Sequence, residues 1–510
     1  MPRNLTPKPE EHPAAPEAPT PAAAATATAT AASNADTGWM ATPVRALMRS
    51  TPVTANQDAS IREVAVRMRD AKVSSVLLMD GDRLVGIVTD RDLRNRVLAE
   101  GLDTARPAIQ VGTRDPITLP ATAAAFEALL LMTERGIHHL PVVEGGRVLG
   151  MLTAGDLAQR QTASAIYLVG DISRQGDVAG LARASAQVAQ LQRQLAANAT
   201  PAGTSGRIIT SITDAVTRRL LQLAHQQLGN APVPYVWVAA GSQGRSEQTA
   251  RSDQDNCMIL DDAYDPQRDG EYFEALARFV CDGLNACGYV YCPGEMMAMT
   301  DQWRQPLGRW QAYFDGWINR PEPKALMLTS VFFDLRAIAG DTALLDRLRT
   351  QTLAQTRGNS LFLAHLAGNA LQHRPALTWL GQLATESRGE HKGRIDLKHK
   401  GSVPVIDLAR IFALAAGVPE VNTYDRLQAA ARAGSLSDEA ARDLTDALEV
   451  IGRIRLSHQA RQTEAGLKPD NFVSPKELSS LDQRQLLEAF KVIQTLQSVL
   501  AQRYGGGSYK

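Results

Sequence analysis

Sliding the chain along itself by 64 positions, without a gap, sets Pro52 on Pro116, Thr54 on Thr118, Met68 on Met132, Gly81 on Gly145, Gly86 on Gly150, Thr89 on Thr153 and Asp92 on Asp156. So regular a match requires one supersecondary unit to occur twice, each copy burying the face that the other leaves uncovered. Within a copy, Ile61, Val64, Ala65 and Met68 recur at helical spacing. They lead to an apolar run, Val73 to Met79, a turn with Gly81, a second run, Leu84 to Val88, and a helix start at Asp90. The order is β-α-β-β-α, twice.

Each copy closes on a related string, Gly86-Ile87-Val88-Thr89-Asp90-Arg91-Asp92 and Gly150-Met151-Leu152-Thr153-Ala154-Gly155-Asp156. In this order and ending, residues 43–160 resemble a tandem pair of CBS domains. The resemblance implies that Thr89 with Asp92, and Thr153 with Asp156, hold the phosphate and ribose of an adenine nucleotide, and that the pair joins two chains into a homodimer. The same residues also suit helix N-caps, because a hydroxyl or carboxylate there accepts from free backbone N–H groups. His138-His139 stands where the first copy has Ser74-Ser75. Neighbours on a strand point to opposite faces, which argues against a metal-binding histidine pair.

The rest of the chain divides by composition and period. Residues 1–38 are rich in Pro, Ala and Thr and read as a disordered tail. The CBS-like pair occupies 39–160, a helical connector 161–230, an α/β domain 231–341 and a helical domain 342–510. In the connector the expected helices flank a loop from Asn198 to Gly206. Tyr235 to Ala239 reads as a buried strand, Glu271 to Ala286 as a helix, and Leu328 to Leu335 as a second strand. Ser474-Pro475-Lys476-Glu477 has capping-box spacing ahead of a last helix with Leu486, Phe490, Ile493 and Leu496 on one face.

The chemistry is concentrated in Gly241-Ser242-Gln243-Gly244-Arg245, followed by Ser252-Asp253-Gln254-Asp255-Asn256. A strand that ends in Gly-Ser lets backbone N–H groups approach phosphate oxygens, since glycine has no Cβ to hold them away. Asp253 and Asp255, two residues apart on an extended chain, share a face and repel each other unless a cation lies between them. Paired hard oxygens of this kind suit Mg²⁺.

Gly-Ser, then Arg, then Asp-x-Asp entering a strand resembles the nucleotidyltransferases of the DNA polymerase beta superfamily. The fuller wording is similar to the catalytic part of protein-PII uridylyltransferases and to nucleotidyltransferase chains fused to CBS pairs. The resemblance continues through Trp303-Arg304-Gln305 and Ile395-Asp396-Leu397-Lys398. It implies transfer of NMP, such as UMP, from an NTP to a hydroxyl of a protein such as PII or of another acceptor. Asp253, Asp255 and Asp334 would be the catalytic ligands of two Mg²⁺ ions, and Asp334 is expected as the third carboxylate from its place in Phe333-Asp334-Leu335-Arg336. Gly241, Ser242 and Arg245 would hold phosphate, aided by Lys398 and Lys400 from a basic loop. Adenine nucleotide at the CBS pair would regulate the reaction. None of the nine histidines is followed by Asp, so the hydrolase module of bifunctional uridylyltransferases is not expected.

Charge narrows the remaining classes. Lys plus Arg and Asp plus Glu are both 54, which argues against a nucleic-acid or membrane coat held by bulk charge. The balance has local structure, because residues 241–262 hold two basic and five acidic side chains, and 388–400 hold five basic and two acidic. There is no long apolar run and no basic-then-apolar leader, and the four cysteines lack CxxC spacing, so a cytoplasmic chain with free thiols is expected. Two function classes remain. One is a Mg²⁺-dependent nucleotidyltransferase, and the other is a nucleotide-sensing regulatory protein whose transferase fold no longer turns over.

Overall fold

The computed structural model describes residues 42–48, 51–158, 164–250, 252–320, 328 and 330–504. The expected tail, 1–38, lies outside the described residues. The repeat takes the same form twice. The first copy is β1 (Thr54–Asn56), α1 (Ile61–Ala71), β2 (Ser75–Asp80) and β3 (Arg83–Thr89), followed by helical residues Asp90–Asp92 and Leu93–Leu98. After β4 (Thr113–Arg114), which pairs with β3, the second copy is β5 (Leu119–Pro120), α2 (Ala125–Arg135), β6 (His139–Glu144), β7 (Arg147–Thr153) and α3 (Ala154–Ala158).

The registers correspond, with Ser75 opposite Thr89 and His139 opposite Thr153. Each hairpin shifts register at the equivalent place, Leu78/Met79 and Val142/Val143. Ser60 caps α1 by accepting from Glu63 N–H, and Ile61, Val64 and Met68 form its buried face, as the helical period requires. Leu77, Ile87 and Met151 make an apolar contact between the two copies.

The connector is α4 (Ser164–Arg174), α5 (Val178–Ser185), α6 (Val188–Ala197) and α7 (Ala202–Leu228). The loop expected up to Gly206 ends earlier, because α7 begins at Ala202. A distant group stabilises that start: the Glu449 carboxylate accepts from the backbone N–H groups of Ala202 and Gly203. Phe126 and Leu130 of α2 pack in the same apolar core as Ile208, Ile212 and Val216 of α7, which joins the CBS pair to the connector.

The next sheet has the order β12-β10-β8-β13, with β8 (Tyr235–Ala239) antiparallel to both β10 (Asn256–Leu260) and β13 (Arg336–Gly340), and β12 (Arg304–Pro306) parallel to β10. A two-stranded piece pairs β9 (Asp253–Gln254) with β11 (Val290–Tyr291). Period two divides the central strands between two cores. Val236, Val238, Cys257 and Ile259 face the C-terminal helices, while Trp237, Ala239, Met258 and Leu260 face α7 and α8 (Pro266–Ala286). Covered on both faces, these strands read as continuous apolar runs.

The strand expected at 328–335 is not formed: Leu328 and residues 330–332 are helical, and β13 starts at Arg336. A short buried apolar run does not distinguish strand from helix. Here the aromatic side chains decide, since Phe332 packs on Trp303 at a centroid distance of 4.4 Å, on Trp310 at 5.4 Å and on Trp317 at 5.7 Å. Trp310 and Trp317 come from α9 (Leu307–Asn319).

The C-terminal part comprises α10 (Thr342–Thr356), α11 (Ser360–Ala370), the pair β14 (Ile395–Asp396) and β15 (Phe472–Val473), then α12 (Val403–Ala416), α13 (Thr423–Arg432), α14 (Asp438–Glu464) and α15 (Ser480–Tyr504). The capping box expected at Ser474 is instead an isolated 3₁₀ turn, Pro475–Glu477, without a side-chain cap. Ser479 performs that task, accepting from Asp482 N–H at 3.0 Å. The apolar face of α15 is as expected, with Leu486, Phe490 and Ile493 fully buried.

Candidate active site

β8 delivers the chain to Gly241, whose φ of 55° is a conformation that favours glycine. A Cβ there would lie 2.4 Å from Asp255 Oδ2, and one on Gly244 would lie 1.9 Å from the Asp334 carbonyl oxygen. Both glycines therefore allow acidic segments to close directly over the turn Gly241–Gly244.

Asp253 lies in β9 and Asp255 immediately before β10. Their carboxylates and the Cys292 thiol each offer an atom within 4.8 Å of the others, which makes this the candidate cation group among the described residues. Burial first, and the neighbouring Asp253 charge second, push Asp255 up to about 6, although a hydrogen bond from Cys292 works against this. Burial and Asp255 in turn push the Cys292 thiol up to about 11. Lys398 and Arg245 offset only part of the repulsion between the two carboxylates, since Asp255 stays raised; two oxygen donors still in mutual repulsion fit a hard divalent cation, whereas a protonated thiol adds little to such a site.

A cavity of about 160 Å³ opens beside this group, between the Gly-Ser turn and the C-terminal helices. Ser242, Arg245, Asp253, Lys398 and Arg455 all line it. Lys398 sits in a turn held by Asp396, whose Oδ1 accepts from the N–H of Lys398 at 2.9 Å and of His399 at 3.0 Å. Lys400, expected beside it, is absent from the lining and pairs with Glu386 at 2.6 Å. Arg455 from α14 donates to Asn471 Oδ1 at 2.9 Å and to Ser402 Oγ at 3.4 Å, and burial pulls it down to about 10. Among the described residues neither Lys398 nor Arg455 has a carboxylate in salt-bridge contact, so both keep charge available to an anion.

Asp334 is not brought to the carboxylate pair. Its side chain is fully buried and accepts from Arg245 Nη1 at 2.6 Å, Arg410 Nε and Nη2 at 3.0 and 2.7 Å, and Arg426 Nη1 at 2.5 Å. Burial alone would raise this carboxyl; Arg410, Arg426 and Arg245 together overcome it and hold the group far below the usual range. Both oxygens are engaged, so the expected metal-ligand role is corrected to a buried ionic junction. Arg336, its neighbour in sequence, turns instead to Asp214 at 2.7 Å. Arg304 of the Trp-Arg-Gln segment is buried and donates to the carbonyls of Ala298 and Met299.

In the CBS pair, Thr89 Oγ1 donates to Asp92 Oδ2 at 2.7 Å and accepts from Asp92 N–H at 3.4 Å. Thr153 and Asp156 repeat this at 2.6 and 3.2 Å. Both pairs thus act as helix caps. A cavity of about 110 Å³ borders one of them, where Thr153 meets Lys72, Ser74 and residues 51–53 of the other copy.

Arg455 and Cys292 carried no local signal, because each reaches the site from an element far along the chain. The basic charge of 388–400 points equally to Lys398 and Lys400, of which only Lys398 lines the cavity.

Comparison with known proteins agrees with this architecture. A family model described as "Putative nucleotidyltransferase DUF294" matches residues 186–324, one described as "Putative nucleotidyltransferase substrate binding domain" matches 360–504, and the CBS domain model matches 44–99 and 108–162. A sheet carrying Gly-Ser and Asp-x-Asp, backed by a helical domain and preceded by a CBS pair, defines an α/β multidomain protein of nucleotidyltransferase type. The chain belongs to the nucleotidyltransferase family that the first two models describe, in a form fused to CBS domains.

Among curated relatives, the Arabidopsis thaliana CBS domain-containing protein CBSCBSPB2 is 40% identical over 111 residues, 21% of each chain. Bacillus subtilis (strain 168) YlbB is 35% identical over 101 residues, 19% of this chain and 68% of the relative. The chain spans about one fifth of the length of the first of these curated relatives. Of solved structures, the CBS domain protein PAE2072 from Pyrobaculum aerophilum, complexed with AMP, is 30% identical. The match covers 25% of this chain and 97% of that one, with a TM-score of 0.23.

Proposed function

We propose that this chain transfers NMP from an NTP to a hydroxyl group of a protein or small-molecule acceptor. The observation that supports the reading is the cleft itself, whose lining brings Ser242 and Asp253, with Asp255 close to Asp253, together with Lys398 and Arg455, two cations without a carboxylate in salt-bridge contact among the described residues. Asp253 and Asp255 would hold a Mg²⁺ ion, which would supply Lewis-acid activation of the hydroxyl and neutralise phosphate charge. Lys398 and Arg455 attract the triphosphate and hold its outer charges, and Ser242 Oγ donates to a phosphate oxygen. The Gly-Ser turn lets the backbone approach closely. In the reaction the acceptor oxygen bonds to the α-phosphorus, the bond to pyrophosphate breaks, and the hydroxyl proton passes to solvent.

Incubation with each labelled NTP, Mg²⁺ and candidate acceptors tests this, with UTP and a PII-type protein as the first pair. Label transfer with pyrophosphate release is expected, and its loss in an Asp253→Asn/Asp255→Asn variant. Transfer that persists in that variant overturns the carboxylate assignment. Absence of transfer with every NTP favours the second reading, a nucleotide-sensing regulator without turnover. The engagement of Asp334 by three arginines, which leaves two carboxylates at the cleft, supports that alternative.

The CBS pair is proposed as an adenine-nucleotide sensor and as the contact of a homodimer. Its cavity at Thr153 is the first place to look for the ligand, with Asp156 held next to it by the hydrogen bond from Thr153 Oγ1. Glu127 of α2 lies near enough for its charge to act on Arg207 of α7, which donates to Asn422 and Asp425 at 3.1 and 2.9 Å. Asn422 donates in turn to the Arg245 carbonyl at 2.7 Å. This route supports coupling, which itself requires different nucleotide affinities in two states. Among the described residues, no helix is long and apolar enough to cross a membrane.

A further inference from the structure

Three carboxamide side chains border the cleft: Gln248, Gln459 and Asn471. Two of them are engaged with each other and their neighbours. Gln459 Nε2 donates to Asn471 Oδ1 at 3.1 Å, Arg455 Nε donates to the same oxygen at 2.9 Å, and Gln459 Oε1 accepts from Gln192 Nε2 at 3.2 Å. Gln248 differs. Its backbone N–H is fixed on Thr210 Oγ1 at 3.1 Å and the residue is 1% exposed, yet neither Oε1 nor Nε2 has a hydrogen-bond partner among the described residues. Native interiors seldom leave such a group unsatisfied, because burial removes water without returning a bond.

The missing partner can be defined by chemistry. A phosphate only accepts, so it satisfies the amide NH₂ and leaves the oxygen unpaired; a metal ion does the reverse. A nucleobase edge satisfies both atoms together, since it sets a donor beside an acceptor at the spacing of a carboxamide. The reading above gives phosphate to Ser242, Lys398 and Arg455, and Ile406, Leu448 and Leu456 add apolar lining suited to a planar ring. Resting on the nucleotidyl-transfer reading above, we propose that Gln248 is the base-recognition residue of this cleft, its carboxamide pairing with the hydrogen-bonding edge of the NTP base.

Calorimetric titration of the full chain with Mg²⁺ and each of the four NTPs, and separately with inorganic tripolyphosphate, tests this. Gln248→Leu keeps the volume, removes the unpaired amide and is expected to leave the unliganded melting temperature unchanged or higher. Its affinity for the preferred NTP should fall about tenfold or more, the loss of two neutral hydrogen bonds, with tripolyphosphate affinity unchanged. Lys398→Ala should weaken both ligands. Any heat from the CBS pair is the same in the wild type and the variants. Equal NTP affinity in Gln248→Leu and wild type overturns the proposal, as does an equal loss for NTP and tripolyphosphate. If wild type binds none of the four NTPs, the nucleotidyl-transfer reading itself falls, an outcome distinct from failure of the Gln248 assignment alone.

Discussion

Two acidic centres lie on either side of the Gly241–Gly244 turn, and the protein treats them in opposite ways. Asp334 is enclosed by Arg245, Arg410 and Arg426 and is held ionised. Asp253 and Asp255 face each other with a thiol for company, and Asp255 is pushed toward its neutral form. A buried charge that is fully paired serves as structure, because removing one partner strands the others. A carboxylate pair kept close without a cation is a cost to the unliganded fold, offset when a ligand supplies positive charge.

The largest expected effect breaks the first centre. Asp334→Ala should lower stability by about 3–5 kcal/mol in denaturant unfolding, since it leaves three guanidinium groups buried without their carboxylate. A gain in stability for that variant would instead restore Asp334 to the metal-ligand role. The second centre should respond in the other direction. Folding raises Asp255 from 3.8 to about 6, so its favourable contribution is present below the unfolded value and lost as pH rises through about 6. Asp255→Asn should therefore stabilise the unliganded fold at pH 7.5, by an amount on the order of 2 kcal/mol in denaturant unfolding, and change it little at pH 4.

Smaller effects separate charges that look alike in sequence. Lys398→Ala and Arg455→Ala should each weaken NTP binding about tenfold in equilibrium titrations, whereas Lys400→Ala, whose ammonium is taken by Glu386, should stay within about twofold. Smallest are the caps. Thr89→Ala and Thr153→Ala should each cost about 1 kcal/mol of CBS stability. In calorimetry with AMP, only Thr153→Ala, at the cavity, should also reduce affinity.

The same contrast separates features with a local sequence signal from features that depend on distant partners. The repeat, β8, the Gly-Ser turn and Asp-x-Asp were legible because their signals are local, either a period of two or 3.6 or adjacency along the chain. Asp334 has no such local signal, because a lone acid in an aromatic stretch looks the same whether it binds metal or arginine. Its partners lie 89, 76 and 92 positions away. The start of α7 depends likewise on Glu449, 247 positions distant from Ala202. Arg455 joins Lys398 only because β14 and β15 pair and bring Asn471 beneath α14.

The packing of Phe332 against Trp303, Trp310 and Trp317 has an optical consequence. Trp237 is buried in the neighbouring sheet, Trp379 is 92% exposed, and no tryptophan occurs between residues 42 and 158. In a Trp39→Phe variant, which removes the one indole at the N-terminal edge of the CBS pair, intrinsic fluorescence excited at the indole band would report chiefly on the transferase core and be silent for the CBS pair. A shift in that emission when AMP is added would be a label-free signal that occupancy of the sensor has reached the sheet carrying Asp253 and Asp255.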